Sequence, residues 1–292
     1  MKVAVASGKG GTGKTMVTAS LAVSWNASVT AVDLDVEEPN LHLFLQPEWS
    51  GSRQAFMDVP EVDEKRCTFC RECAELCQFK AISILNNLVL LFPEMCHGCG
   101  GCMAVCPEGA ISSGTRTLGE ISWGKAGPVN FLSGKLRVGE AMSPPLMKQV
   151  LDCLQKMACF HGSADVLIDA PPGVSCPAVS AVIESDLILL VTEPTPFGAF
   201  DLRLAYHAFK SLGKPMGVIV NRAGIGDDRV YRFCREARLP IFAEIPYDRA
   251  IAEAYAEGKI IAESSIELGA LFTQLANRIQ HTVHRASEVS YA

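Results

Sequence analysis

The chain has 292 residues, 49% of them hydrophobic and 20% charged, so it can bury a substantial core and carries no signature of disorder. With 26 basic and 32 acidic side chains its formal net charge is −6, which argues against nucleic acid as a partner. It has twelve cysteines and shows neither a leader peptide nor an apolar run long enough for a membrane span; the expectation is a cytoplasmic protein whose thiols bind metal rather than form disulfides.

In chain order, Val3–Ser7 predicts a buried strand that runs into a glycine-rich loop, followed by a helix over 14–25 and a second strand at Val29–Asp33. From about 60 to 114 the alternation of strand and helix stops and eight cysteines appear, which predicts an inserted domain; 1–59 and 115–292 are left as the core. Thr117–Val138, rich in glycine, predicts one or two hairpins. A helix over 144–160 then restores the alternation. Strands follow at Val166–Asp169, Leu187–Val191, Met216–Val220 and Ile241–Ile245, with helices at 177–184, 198–211, 228–237 and 264–285. This is the pattern of an α/β protein whose mostly parallel sheet is covered on both faces. In the last helix Leu268, Phe272, Leu275, Ile279 and Val283 form an apolar face expected to close the core rather than to attach to a membrane.

Gly8-Lys9-Gly10-Gly11-Thr12-Gly13-Lys14-Thr15 fits G-x-x-x-x-G-K-[ST] between a predicted strand and a predicted helix, the setting a phosphate loop needs. Its backbone N–H groups would cradle phosphates, Lys14 would reach the β and γ phosphates, and the Thr15 hydroxyl would coordinate Mg²⁺. The second lysine, Lys9, makes this segment resemble the deviant Walker A of the MinD/ParA/Mrp (CobQ/CobB/MinD/ParA-type) P-loop ATPases. The resemblance implies ATP and Mg²⁺ as ligands and a dimer closed around ATP, either with itself or with a paralogue. Lys9 would reach the partner's site. It also makes Asp33-Leu34-Asp35 resemble switch I, with Asp33 at the Mg²⁺ site and Asp35 orienting the attacking water, and Asp169-Ala170-Pro171-Pro172-Gly173 resemble switch II, with Asp169 holding Mg²⁺. Turn-forming or helix-capping roles remain the other reading of Asp33 and Asp35. Asn221 and Pro246 stand where relatives contact adenine.

Cys67, Cys70, Cys73 and Cys77 repeat 29 positions later as Cys96, Cys99, Cys102 and Cys106, and Ala81-Ile82 repeats as Ala110-Ile111. Each run matches the spacing of bacterial ferredoxins, in which the fourth cysteine of each run ligates the other cluster. That resemblance implies two 4Fe-4S clusters in a ferredoxin-like α+β insertion, one on Cys67, Cys70, Cys73 and Cys106, the other on Cys77, Cys96, Cys99 and Cys102. Cys176, seven residues after Asp169, resembles a cluster ligand of the nitrogenase iron protein branch, but its first reading is a buried or interface thiol; Cys153, Cys159 and Cys234 read as core.

The expected function is therefore a nucleotide-switched dimeric ATPase, similar to the ATPases of the orange protein complex, that gates electron transfer from its clusters to a redox protein. The alternatives are an ATP-dependent assembly or carrier factor for metal clusters, and a MinD-like positioning ATPase whose clusters are structural.

Overall fold

The computed structural model describes residues 1–156 and 165–290. Eleven strands and ten α-helices are found among them: β1 (Lys2–Ala6), α1 (Lys14–Val23), β2 (Val29–Asp33), α2 (Leu41–Leu45), β3 (Glu48–Val62), α3 (Glu72–Leu76), β4 (Ile82–Leu85), β5 (Leu88–Leu91), α4 (Gly101–Val105), β6 (Ile111–Ala126), β7 (Val129–Leu136), α5 (Ser143–Lys156), β8 (Asp165–Asp169), α6 (Cys176–Val182), β9 (Leu187–Thr192), α7 (Pro196–Lys210), β10 (Met216–Ala223), α8 (Arg229–Glu236), β11 (Ile241–Pro246), α9 (Arg249–Ala256) and α10 (Ile266–Ser290). Nine strands form one sheet in the order β11-β10-β9-β1-β8-β2-β7-β6-β3, and β4 and β5 form a separate hairpin.

From β11 across to β7 every recorded pairing is parallel. The central strands are apolar through their middles because both faces are covered. Val3, Val5, Leu187, Leu189 and Val191 share one core with α1 and with Phe272, Leu275 and Ile279 of α10, while the intervening Ala4, Ile188 and Leu190 are also buried. Each such fully buried aliphatic side chain contributes about 1.5–3 kcal/mol. The apolar face of α10 thus closes the core, while Ile266 at its start stands out into solvent.

Outside the cysteine region, three elements, β3, α2 and α9, have no counterpart in the sequence expectations. β3 is a 15-residue strand where none is predicted. It lies at the sheet edge, only Ala55, Met57 and Val59 alternate inward, and it contains Pro60, so its sequence lacks the apolar run of an interior strand. The stretch 117–138, expected to form one or two hairpins, forms one, the long strands β6 and β7 lying side by side in the sheet and joined at Gly127-Pro128. α2 and α9 are short helices held by packing, which periodicity does not reveal. The end of the helix predicted over 144–160, with Cys159, lies outside the described residues.

The chain divides into two compact units, one comprising Met1–Ser52, Ile121–Lys135 and the chain from Met147 onward, the other Arg53–Glu120 and Leu136–Leu146. The sequence boundaries at 60 and 114 fall within the second. Its apolar centre is small, built around Cys73, Ile82 and Ile111, and its other internal anchor is the pair of Arg116 with the nearly fully buried Glu140 carboxylate, which the guanidinium helps to hold below the usual carboxylate range against the opposing effect of burial. The 29-residue repeat is present in the backbone. Phe69, Arg71 and Lys80 have φ of 58°, 72° and 55°, and their repeat counterparts Gly98, Gly100 and Gly109 have 64°, 71° and 54°. The first half keeps the glycine geometry with ordinary side chains, at a cost on the order of 1 kcal/mol per residue.

Candidate functional site

Ligands of open parallel sheets bind beyond the carboxyl ends of the strands, and the predicted nucleotide residues gather there. β1 passes into the loop Gly8–Thr15 and α1. Gly13 sits at the helix N-terminus with φ 87°, a left-handed conformation suited to glycine, and a Cβ there would collide with the Asn221 amide. Asn221 Nδ2 donates to the Thr12 carbonyl at 2.8 Å, tying the end of β10 to the loop. The Thr12 hydroxyl, 2% exposed, has no hydrogen-bond partner among the described residues; a buried donor inside a loop of backbone N–H groups fits an anionic ligand.

Asp33 ends β2 and Asp169 ends β8, and the two are paired in register. Lys14 Nζ lies 2.8 Å from Asp169 Oδ1, the Thr15 hydroxyl donates to Oδ2 at 2.8 Å, and Thr18 adds a third donor at 3.1 Å. Asp33 is fully buried and accepts the N–H groups of Asp35 at 3.1 Å and Leu41 at 2.9 Å. Burial, and after it the neighbouring Asp169 carboxylate, raises the Asp33 pKa well above the ordinary range. Two buried carboxylates side by side beside a threonine hydroxyl are hard oxygen donors whose repulsion a divalent cation relieves, so the residues present fit Mg²⁺.

Asp35 is partly buried, and burial first, offset by Lys14 and reinforced by Asp169, raises its carboxyl from 3.8 to about 6. A carboxyl whose folded pKa exceeds its unfolded one adds stability below about pH 4 and loses it as pH rises through about 6. In buffer free of Mg²⁺ and nucleotide, Asp35→Asn is therefore expected to leave the melting temperature unchanged at pH 4 and to raise it at pH 8. With solvent screening the gain is about 1 kcal/mol, or about 2–4 °C. A melting temperature at pH 8 equal to or below wild type would contradict this burial cost.

Lys9 Nζ lies 3.8 Å from Asp201 Oδ2 of α7, in its own subunit. Pro246 lines a cavity with Gly11, Gly13, Met16 and Asn221, completed by residues of α9 that sequence reasoning did not single out. Thr18 was also missed, although it lies one helical turn from Lys14, the i+4 spacing that could have exposed it. Cys176 is exposed at the first position of α6, while Cys153 and Cys234 are buried.

In the second unit the cysteines stand around two cavities. Cys77, Cys96, Cys99 and Cys102 line one, of about 280 Å³, and Cys67, Cys70, Cys73 and Cys106 line the other. Within each repeat a backbone N–H faces a thiol: Ala81 N to Cys77 Sγ at 3.3 Å, and Ala110 N to Cys106 Sγ at 3.2 Å. Burial pushes the thiols of Cys73 and Cys102, equivalent in the repeat, above their ordinary pKa. Among the described residues no three such ligands converge as on a single metal ion; four thiols spaced around a cavity, with amides aimed at sulfur, fit a polynuclear iron–sulfur group. His97 stacks on Phe79, with ring centroids 3.4 Å apart, at the edge of the first cavity.

A phosphate loop between β1 and α1 of a parallel sheet, with two carboxylates at adjacent strand ends, defines a P-loop nucleotide-binding protein. The sequence model of the CobQ/CobB/MinD/ParA nucleotide binding domain matches residues 3–261, and the chain belongs to that family. An uncharacterized protein of Methanocaldococcus jannaschii, MJ0579, is 30% identical over 270 residues, 89% of this chain and 90% of that protein. The septum site-determining protein MinD of Pyrococcus horikoshii, solved with Mg-ADP, has the same fold at 23% identity and a TM-score of 0.59, covering 95% of each chain. A segment of 54 residues, 18% of this chain, is 39% identical to part of one component of the ion-translocating oxidoreductase complex of Methanosarcina acetivorans, covering 20% of that protein. No helix among the described residues is long and apolar enough to cross a membrane.

Proposed function

We propose that this chain is a dimeric ATPase whose nucleotide cycle is coupled to two 4Fe-4S clusters and gates electron transfer to a protein partner. The observation that carries the reading is the grouping of the eight cysteines into two quartets, each around its own cavity, in the same chain as a complete phosphate loop. The partial likeness to a component of an oxidoreductase complex supports it.

The backbone amides from Gly10 to Thr15 hold the phosphates, and the α1 dipole adds to them. Lys14 turns from Asp169 to neutralise charge between the β and γ phosphates, and Asp169, Thr15 and Asp33 are the residues that would hold Mg²⁺. Asp35, ionised above its pKa of about 6, orients a water whose oxygen bonds to the γ-phosphorus; the P–O bond to ADP breaks, and the water's proton leaves on the inorganic phosphate. Lys9, released from Asp201, reaches the partner subunit's phosphates. Asn221 and Pro246 bound the adenine. When bound, Mg²⁺ supplies charge neutralisation on the phosphates and the clusters supply one-electron storage. Cys67, Cys70, Cys73 and Cys106 would hold one cluster, and Cys77, Cys96, Cys99 and Cys102 the other.

The test is an EPR-monitored redox titration of anaerobically purified protein of known iron content, with and without Mg-ATP. Two low-potential 4Fe-4S signals whose potential or shape changes with Mg-ATP are expected. Clusters indifferent to Mg-ATP would remove the gating and leave the carrier or scaffold role, and a protein that takes up no iron on anaerobic reconstitution would end the reading.

A further inference from the structure

The cavity bounded by Asn221 and Pro246 also takes in Met16, Tyr247, Ile251 and Tyr255. Ile251 and Tyr255 stand one helical turn apart on α9, so the cavity presents an aliphatic and an aromatic surface from the same helix. Tyr255 is 45% exposed, and its ring packs against Phe44 with centroids 5.6 Å apart and planes at 31°, within the range of a favourable aromatic pair.

Phe44 belongs to α2, a helix of five residues that depends on such packing to persist. Leu41, the first residue of α2, donates its N–H to Asp33 Oδ2 at 2.9 Å, and the other Asp33 oxygen accepts the Asp35 N–H at 3.1 Å. A short run of contacts, from Tyr255 through Phe44 and Leu41 to Asp33, therefore links the cavity to the carboxylate that ends β2 and, through it, to Asp35. No metal and no phosphate is needed for this link.

We propose that Tyr255 is a positioning residue: its ring takes the flat face of a purine base in the cavity, and its packing on Phe44 transmits that occupancy through α2 to Asp33 and Asp35. The proposal rests on the nucleotide reading above. It assigns to the base, and not only to the γ-phosphate, a part in ordering the carboxylates. A nucleoside diphosphate thereby already holds α2, and a triphosphate meets a switch segment partly in place.

Mg-ADP, which lacks the γ-phosphate, isolates this effect. Its binding to the full-length chain is measured by titration calorimetry, and backbone hydrogen exchange of residues 40–46 is followed with and without saturating Mg-ADP, for wild type, Tyr255→Ala and Tyr255→Phe. In wild type, Mg-ADP is expected to slow exchange across Leu41–Leu45. In Tyr255→Ala the dissociation constant is expected to rise about tenfold, in line with the loss of one base–aromatic stack, and the slowing across Leu41–Leu45 to disappear even at saturation. Tyr255→Phe keeps the ring and is expected to restore both. Equal slowing in saturated Tyr255→Ala overturns the link to α2, and an unchanged dissociation constant overturns the base contact. Wild-type protein that fails to bind Mg-ADP overturns the nucleotide reading itself, a failure separate from the other two.

Discussion

Lys14→Ala is expected to weaken Mg-ATP binding by at least about 100-fold and to lower the stability of the fold as well. The side chain is 6% exposed, and its ammonium lies 2.8 Å from the carboxylate of Asp169, itself 1% exposed. Two consequences follow from one deletion. The phosphates lose their only buried lysine in the loop, and a charge-assisted contact to phosphate is worth several-fold more inside a desolvated site than in water. Asp169 is left in register with the buried Asp33, with the hydroxyls of Thr15 and Thr18 as its side-chain support among the described residues; stranding one partner of a buried pair costs about 3–5 kcal/mol. The double variant Lys14→Ala/Asp169→Asn separates the two effects. It removes the stranded charge and should regain most of the lost melting temperature, yet it should still fail to bind Mg-ATP in calorimetry. Near-native affinity in the single variant would mean that the loop does not receive phosphate.

The second large effect is expected at Cys77. This cysteine is four to ten residues from Cys67, Cys70 and Cys73 in sequence, but it lines the cavity of Cys96, Cys99 and Cys102. If the quartets are the ligand sets, Cys77→Ala removes the cluster of the downstream run and leaves the other, so iron falls from about eight to about four per chain. Paired substitutions decide between crossed and uncrossed ligation. Cys77→Ala with Cys99→Ala strikes one cavity and should keep one EPR signal, whereas Cys77→Ala with Cys73→Ala strikes both and should leave none. The reverse result would assign Cys77 to its own run. Loss of both clusters should also unfold this unit, because the small apolar centre around Cys73, Ile82 and Ile111 leaves metal binding as the main source of its folding energy.

Much of the nucleotide site is legible because its parts are local. The spacing of Gly8 to Thr15 needs only a strand before and a helix after, and Asp33 and Asp169 declare themselves as carboxylates at the ends of apolar runs. The 29-residue repeat is legible for the same reason, and the backbone repeats it even where Phe69, Arg71 and Lys80 replace glycines. What sequence did not reveal depends on partners far apart in the chain. β3 hides because an edge strand needs only one inward-facing row, and α9 because a helix of eight residues is decided by what it packs on. Tyr255 therefore escaped notice, and its contact with Phe44 had no local signal at all. The pairing of Lys9 with Asp201 within one subunit was equally invisible, since it requires α7 to pass directly beside the loop.

By itself the sequence determined the chemistry available to this protein: a phosphate loop, two strand-end carboxylates and eight thiols in ferredoxin spacing, each a pattern of residues close enough along the chain for backbone geometry to govern it. Only the tertiary structure decided which of these groups meet. Lys14 and Asp169 are 155 residues apart, and their contact exists because β8 pairs beside β1 and β2, an arrangement fixed by burying both faces of the sheet.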